Sequence, residues 1–284
     1  MELLETGVRK DDECEYMGKV PKESGASIMI FESHAHYEDK KFDEDREELL
    51  NLLPKQGIAY VINVGSSLST TRATLELIRQ YDYMYGAVGV HPEESAELTE
   101  ESFEWLRQMT GQDKVVAVGE IGLDYYWDEP AREIQKKWFE RQIGLAIEVG
   151  LPMIIHSRDA AKDTLDILRA CHGEKAGGVI HCFSYGIDMA KAYLDMGFYI
   201  GIGGVVTFKN AKKLKEVAEY VPLDRILLET DCPYMAPEPH RGKRNSSLYL
   251  PHVAEKIAEI KGITAEEVIR VTNENGRKLY RIEV

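Results

Sequence analysis

Six side chains with metal-binding chemistry stand at the ends of short apolar runs. His34 and His36 close Phe31-Glu32-Ser33-His34-Ala35-His36, Glu120 closes Val118-Gly119-Glu120, and His156 closes Ile154-Ile155-His156. His181 closes Val179-Ile180-His181, and Asp231 follows Leu228-Glu229-Thr230. Two residues apart on an extended backbone, His34 and His36 project to the same side and can share one ion. Taken singly, each residue has an ordinary alternative: a polar turn for His-x-His, a paired charge for Glu120, a turn cap for Asp231. Gathered in one partly buried place with no cationic cluster, they would be costly to desolvate unless divalent ions removed the repulsion. Imidazole and carboxylate suit zinc, iron, manganese or nickel, and six protein ligands exceed what one four-coordinate ion takes. Two ions sharing a bridging carboxylate is the economical arrangement.

These residues need a scaffold that brings strand ends together. Apolar runs rich in β-branched residues recur at Ile28–Glu32, Tyr60–Val64, Tyr85–Val90, Val115–Glu120, Met153–His156, Gly178–His181, Tyr199–Ile202 and Ile226–Glu229. Amphipathic segments separate them: Asp43–Leu53, Thr70–Tyr81, Glu100–Met109, Ala131–Val149, Ala160–Ala170, Asp188–Met196 and Ala211–Tyr220. A further helix is expected at about Pro251–Ile260, with two short ones closing the chain. Strands alternating with helices form parallel sheets covered on both faces. Eight such units predict an α/β fold, a (β/α)8 TIM barrel with short extra C-terminal helices, whose chemistry sits at the C-terminal ends of the strands. The alternative, a doubly wound open sheet, would more often carry a glycine-rich first turn, and no G-x-G-x-x-G follows the first run. Residues 1–28 lack periodicity and read as a flexible N-terminal extension before one barrel domain spanning 29–284.

Composition narrows the partners. Among 284 residues, 49 acidic and 35 basic side chains leave a net charge of −14. That disfavours long, non-specific duplex binding, which relies on many cationic phosphate contacts, but not a local grip on a few phosphates. Four cysteines in a chain of this length form no disulfide framework. With no basic-then-apolar leader at the N-terminus, the expected location is the cytoplasm. The longest weakly polar run, Gly197–Phe208, is too short to span a bilayer, so no membrane association is expected. Nothing in the sequence implies an obligate protein partner.

Around the six residues lie candidates for handling substrate. Asp231 is placed to accept a proton from an attacking water. His91, closing Val90-His91-Pro92, could bind substrate or protonate a leaving oxygen, and Arg158 has the planar fork that matches two phosphate oxygens. Arg241, Lys243 and Arg244 form the densest cationic cluster. With Lys209, Lys212, Lys213 and Lys215 they could form a rim suited to a strand end or short oligonucleotide, although the helical lysines read mainly as solvated charge. Tyr125, Tyr126 and Trp127 are candidates for stacking on bases or for packing against the following helix.

The chain resembles the TatD family of metal-dependent hydrolases, within the amidohydrolase-type barrels. The matching stretches are Glu32-Ser33-His34-Ala35-His36, Gly89-Val90-His91-Pro92, Gly119-Glu120-Ile121-Gly122-Leu123-Asp124-Tyr125, His156-Ser157-Arg158, Ile180-His181-Cys182-Phe183-Ser184 and Glu229-Thr230-Asp231-Cys232-Pro233-Tyr234, followed by Pro239–Asn245. The resemblance implies one ion on His34, His36 and Asp231, a second on His156 and His181, and Glu120 bridging both, with magnesium, manganese or zinc as the metals. It also implies a deoxyribonuclease that cleaves phosphodiesters at DNA ends with water activated by the two ions. Glu120 and Asp231 would be the catalytic carboxylates, and His91, Arg158, Arg241, Lys243 and Arg244 the substrate contacts. The alternative is hydrolysis of a small ester, lactone or amide at the same centre. Three positions depart from the family pattern: Glu32 replaces the usual aspartate, Tyr185 intervenes before Gly186, and Ser246-Ser247 stands where Glu-Pro is common.

Overall fold

Each apolar run becomes a strand, and each amphipathic segment becomes the helix that returns the chain to the next strand. In the computed structural model, which describes residues 29–283, the strands are β1 (Ile30–Ala35), β2 (Ile58–Val64), β3 (Met84–Val88), β4 (Val115–Asp124), β5 (Met153–Arg158), β6 (Gly178–Ile180), β7 (Tyr199–Ile202) and β8 (Ile226–Leu228). The extension expected at 1–28 lies outside the described residues. The strands pair in chain order, every neighbour parallel. The barrel closes just beyond β8, where Asp231 N–H donates to His34 O and His36 N–H to Cys232 O, each at 2.9 Å.

The helices are α1 (Arg46–Leu52), α2 (Leu68–Gln80), α3 (Glu100–Met109), α4 (Arg132–Val149), α5 (Ala161–Ala170), α6 (Ile187–Asp195), α7 (Lys212–Tyr220), α8 (Leu250–Lys261) and α9 (Ala265–Tyr280). Short polar side chains start several of them. Ser67 Oγ accepts from Thr70 N–H at the start of α2, and Thr264 does the same for Glu267 N–H at α9. None of the described helices is long and apolar enough to cross a membrane.

The core has two layers. Phe31, Ile62, Ala87, Ala117, Ile154, Val179, Tyr199 and Leu227, one from each strand, fill the barrel interior. A larger cluster lies between strands and helices. The expected pair of short closing helices is instead one helix of 16 residues, α9. Gly276 lies where α9 presses on β1: a Cβ there would come within 2.6 Å of the Phe31 ring. Tyr280 stacks on Phe31 at 5.8 Å and joins the interior cluster with Ile282, so the C-terminal segment contributes to the barrel core rather than decorating its surface.

Candidate metal centre

Two strands carry an extra residue where their functional side chains emerge. The β1–β2 register shifts between Glu32 and Ala35, and the β4–β5 register between Val118 and Ile121. Such a bulge re-aims a side chain. It lifts Glu120 out of the wall although β4 continues to Asp124, four residues past the expected end. Beyond it, Gly122 sits at φ +152°, where a Cβ would collide with the His156 carbonyl, so glycine lets β4 and β5 pair beside the centre.

The six residues meet. His34 Nε2 and His36 Nε2 are 3.0 Å apart, and lie 3.4 and 3.5 Å from Glu120 Oε2 and 3.6 and 3.3 Å from Asp231 Oδ1. The other Glu120 oxygen, Oε1, faces His181 Nε2 at 2.8 Å and His156 Nδ1 at 3.0 Å. Glu120 therefore presents one oxygen to each of two donor groups, and groupings within each set have the proximity needed to hold a metal ion.

The remaining ring nitrogens test whether these donors suit a cation. His36 Nδ1 donates to the Val64 carbonyl at 2.8 Å, so Nε2 is the nitrogen turned into the centre. His156 Nε2 donates to Asp124 Oδ2 at 2.9 Å, so Nδ1 is the nitrogen turned to Glu120. Without an ion the carboxylates keep both rings protonated: against burial, the contacts with Asp231 and Glu38 hold His36 well above the usual imidazole range. Release of those protons would leave lone pairs converging on carboxylate oxygens, as a divalent ion requires. His91 is different. Its Nδ1 accepts from Glu93 N–H at 3.3 Å, so Nε2 bears the proton and points at Glu120 Oε1 from 3.7 Å. His91 thus faces the centre with an N–H rather than a lone pair, at a distance beyond hydrogen bonding.

The ionisation states follow from this packing. Burial opposes charge on Glu120, but the His181, His91 and His34 rings and the hydrogen bond from His156 hold it well below the usual carboxylate range. Asp231 is likewise buried yet kept ionised by its contact with His36 and by the His34 and His181 rings. Burial and the neighbouring His181 ring lower His34 to about 4, and burial with the His156 ring lowers His91 to about 3. Burial also disfavours the protonated His156 ring, but Asp124 and Glu120 outweigh it and raise the pKa to about 9.

Asp124 went unremarked as a functional residue in the sequence because it follows four residues after Glu120 in what reads as a turn. Its Oδ1 accepts from Tyr126 N–H at 2.9 Å and Trp127 N–H at 3.2 Å while Oδ2 holds His156, so it couples the mouth loop to the centre. Among the described residues no lysine or arginine pairs with Glu229 inside the barrel. It accepts from Cys182 N–H, its Oε1 lies 3.9 Å from His181 Nδ1, and burial pushes its carboxyl up to about 8. Two departures from the family pattern touch each other: Ser247 Oγ donates to Glu32 Oε2 at 2.9 Å, a bond that proline could not offer. Glu32 also accepts from Thr230 Oγ1 at 2.7 Å and His34 N–H at 3.1 Å, tying β1 to the segment that carries Asp231. Tyr185 is tied down by Ser157 Oγ at 2.9 Å and Ala160 N–H at 3.2 Å.

Above the centre is a cavity of about 1090 Å³. Arg158, Lys212 and Lys213 line it, with His91 and Trp127. Arg158 forms no ion pair with Asp124 or Asp159; its guanidinium lies 3.8 Å from the Tyr126 ring centroid. Arg241, Lys243 and Arg244 are absent from the lining. Arg241 covers the Phe208 ring, and Arg244 is held by a fork-to-fork pair with Asp45 that includes a 2.6 Å contact. Of the cations expected at the mouth, Arg158 from β5 and Lys212 and Lys213 from the start of α7 line the cavity, and the loop cluster does not.

A parallel eight-stranded barrel with histidines and carboxylates gathered at its C-terminal mouth is the architecture of a metal-dependent hydrolase. The profile of TatD related DNases matches residues 31–281, and the chain belongs to that family. It is 45% identical over 254 residues to the Bacillus subtilis protein YabD, named as an uncharacterized metal-dependent hydrolase, covering 89% of this chain and all of that one. It is 30% identical over 259 residues to the 3'-5' ssDNA/RNA exonuclease TatD of Pectobacterium parmentieri, covering 89% of this chain and 100% of the relative. The crystal structure of the Escherichia coli TatD homologue YJJV superposes with a TM-score of 0.85 at 30% identity, over 91% of this chain and 100% of the other.

Proposed function

We propose that this hydrolase cleaves phosphodiester bonds at the ends of single-stranded nucleic acid, using two divalent ions. The observation that carries the reading is a set of cations without acidic partners among the described residues, Arg158, Lys212 and Lys213, lining the same cavity as a carboxylate that faces two groups of donors. Bound there, divalent ions would lower the pKa of water and neutralise charge developing on a phosphoryl oxygen. His34, His36 and Asp231 would hold one ion, His156 and His181 the other, and Glu120 both. The name of the Pectobacterium relative points the same way.

The chain's own groups supply the rest. Asp231, kept ionised in its buried place, accepts the proton of the attacking water through a carboxylate oxygen. Neutral His91 offers Nε2–H as a hydrogen bond to a substrate or leaving oxygen, not as an acid. The Arg158 fork, preorganised on Tyr126, is matched to two phosphate oxygens. The test is incubation of a single-stranded oligonucleotide with the protein and manganese, magnesium or zinc. Release of nucleotides that Glu120→Ala and Asp231→Ala abolish is expected. Undiminished release by both variants, or hydrolysis of esters, lactones or amides without any nucleotide release, would refute it.

A further inference from the structure

The charges that line the mouth are sorted by strand. Glu38 and Asp39 come from the loop after β1, and Glu93 and Glu94 from the loop after β3. Arg158 ends β5, and Lys212 and Lys213 open α7 after β7. In a closed barrel of eight strands in sequential order, β1–β3 and β5–β7 are opposite arcs. The mouth therefore has an acidic side and a basic side, with the Glu120 centre between them. Among the described residues, no ion pair ties up Glu93, Glu94, Arg158, Lys212 or Lys213, and all five are exposed. Their fields act on whatever occupies the cavity. Trp127, 60% exposed, stands between the arcs on the loop after β4 and offers a ring face to a base.

We infer that this asymmetry orients the substrate: the strand leaves over Arg158, Lys212 and Lys213, and the terminal nucleoside faces Glu93 and Glu94, which reject an end carrying a phosphate. The inference rests on the nuclease reading and adds the chemical form of the end. Every internal linkage places phosphates on both sides of the scissile bond, so one side always meets the acidic arc. Only the last linkage of a hydroxyl-ended chain has a neutral group there. A terminal phosphate brings roughly −1.5 to −2 charge at neutral pH. Set against two glutamates in a partly enclosed mouth, that repulsion is large enough for a discrimination of about tenfold at low salt, shrinking as salt screens it.

The experiment uses one single-stranded decamer made with hydroxyl or phosphate at each end in all four combinations, and a circular single strand. Nucleotide release by the metal-supplied protein and binding to it are both measured. A phosphate on the attacked end should slow release about tenfold, a phosphate on the far end should not, and the circle should resist. Glu93→Gln with Glu94→Gln should bring the phosphate-to-hydroxyl ratio to within about twofold of unity. Lys212→Ala with Lys213→Ala should raise KM and flatten its salt dependence while keeping that ratio. Equal release from both kinds of end or a ratio unmoved in the glutamate variant overturns the inference and leaves the nuclease reading standing, whereas cutting of the circle at a comparable rate overturns the inference together with the restriction to ends. No release from and no binding to any of the strands overturns both.

Discussion

Asp124→Asn is the most discriminating change at the centre, because Asp124 touches one donor group and not the other. Its Oδ2 accepts from His156 Nε2 at 2.9 Å, while its Oδ1 serves the Tyr126 and Trp127 amides. An asparagine has one carbonyl oxygen, so it either keeps the loop and points an N–H at His156, or keeps His156 and points an N–H at the loop. A hydrogen bond to a charged group contributes about 1.5–3 kcal/mol. At about 1.4 kcal/mol per decade, that is roughly a 10- to 150-fold loss of affinity, comparable with the effect of removing a carboxylate behind a metal-bound histidine. The loss should fall on the ion held by His156 and His181, since neither His34, His36 nor Asp231 contacts Asp124. Competition with a chromophoric chelator should show two metal equivalents separating into a tight step and a weakened one, with the far-ultraviolet dichroism unchanged. Equal weakening of both steps, or of neither, would refute the argument that Asp124 fixes His156 for metal.

In the metal-free protein, His156 at about 9 stabilises fully below 6.5 and loses that contribution as pH rises through 9. His34 at about 4 and His91 at about 3 act oppositely, stabilising above 6.5 and losing the contribution as pH falls towards those values. Glu229 at about 8 opposes the two histidines below 6.5 and adds to the loss above it. The melting temperature of chelated protein should therefore fall between pH 6.5 and 9, and a rise over that range would contradict these assignments. Metal affinity should instead rise with pH over the same upper range, because His156 must give up its proton to bind, which titration calorimetry in buffers of different ionisation heat can read. Gly276→Ala should cost about 1–3 kcal/mol by driving a methyl into the Phe31 ring, seen as a lower urea midpoint at unchanged slope. Arg158→Ala should raise KM for an oligonucleotide at least tenfold, whereas Arg244→Ala, whose guanidinium is already engaged by Asp45, should stay within about twofold.

Strand positions were legible in the sequence because buried parallel strands are continuous apolar runs, and the residue closing a run had to face the barrel mouth. The ends of β4 and the last helix were not. Leu123 and Asp124 extend β4 through pairing with Ser157 and Arg158, a tertiary event with no local signature. Nothing local reveals that Phe31 presses against the turn of α9 that carries Gly276, and so holds it as one helix. The engagement of the loop cations was hidden for a related reason. A charge cluster in sequence is visible, but its partners are not, and Arg244 finds Asp45 199 residues earlier in the chain.

The histidines show where sequence reading reaches its limit at the centre itself. His91 and His156 both close apolar strands and both point at Glu120, so position alone makes them equivalent. Their other ring nitrogens separate them. A carboxylate behind His156 holds the Nε2 proton outward, so Nδ1 is the nitrogen that can bind once its own proton is lost, whereas a backbone N–H behind His91 occupies its lone pair and turns the proton inward. Asp124 and the backbone amide of Glu93 thus distinguish the two imidazoles. A substitution at Asp124 would change what His156 does without altering the histidine, whereas at Glu93 only proline would remove the N–H.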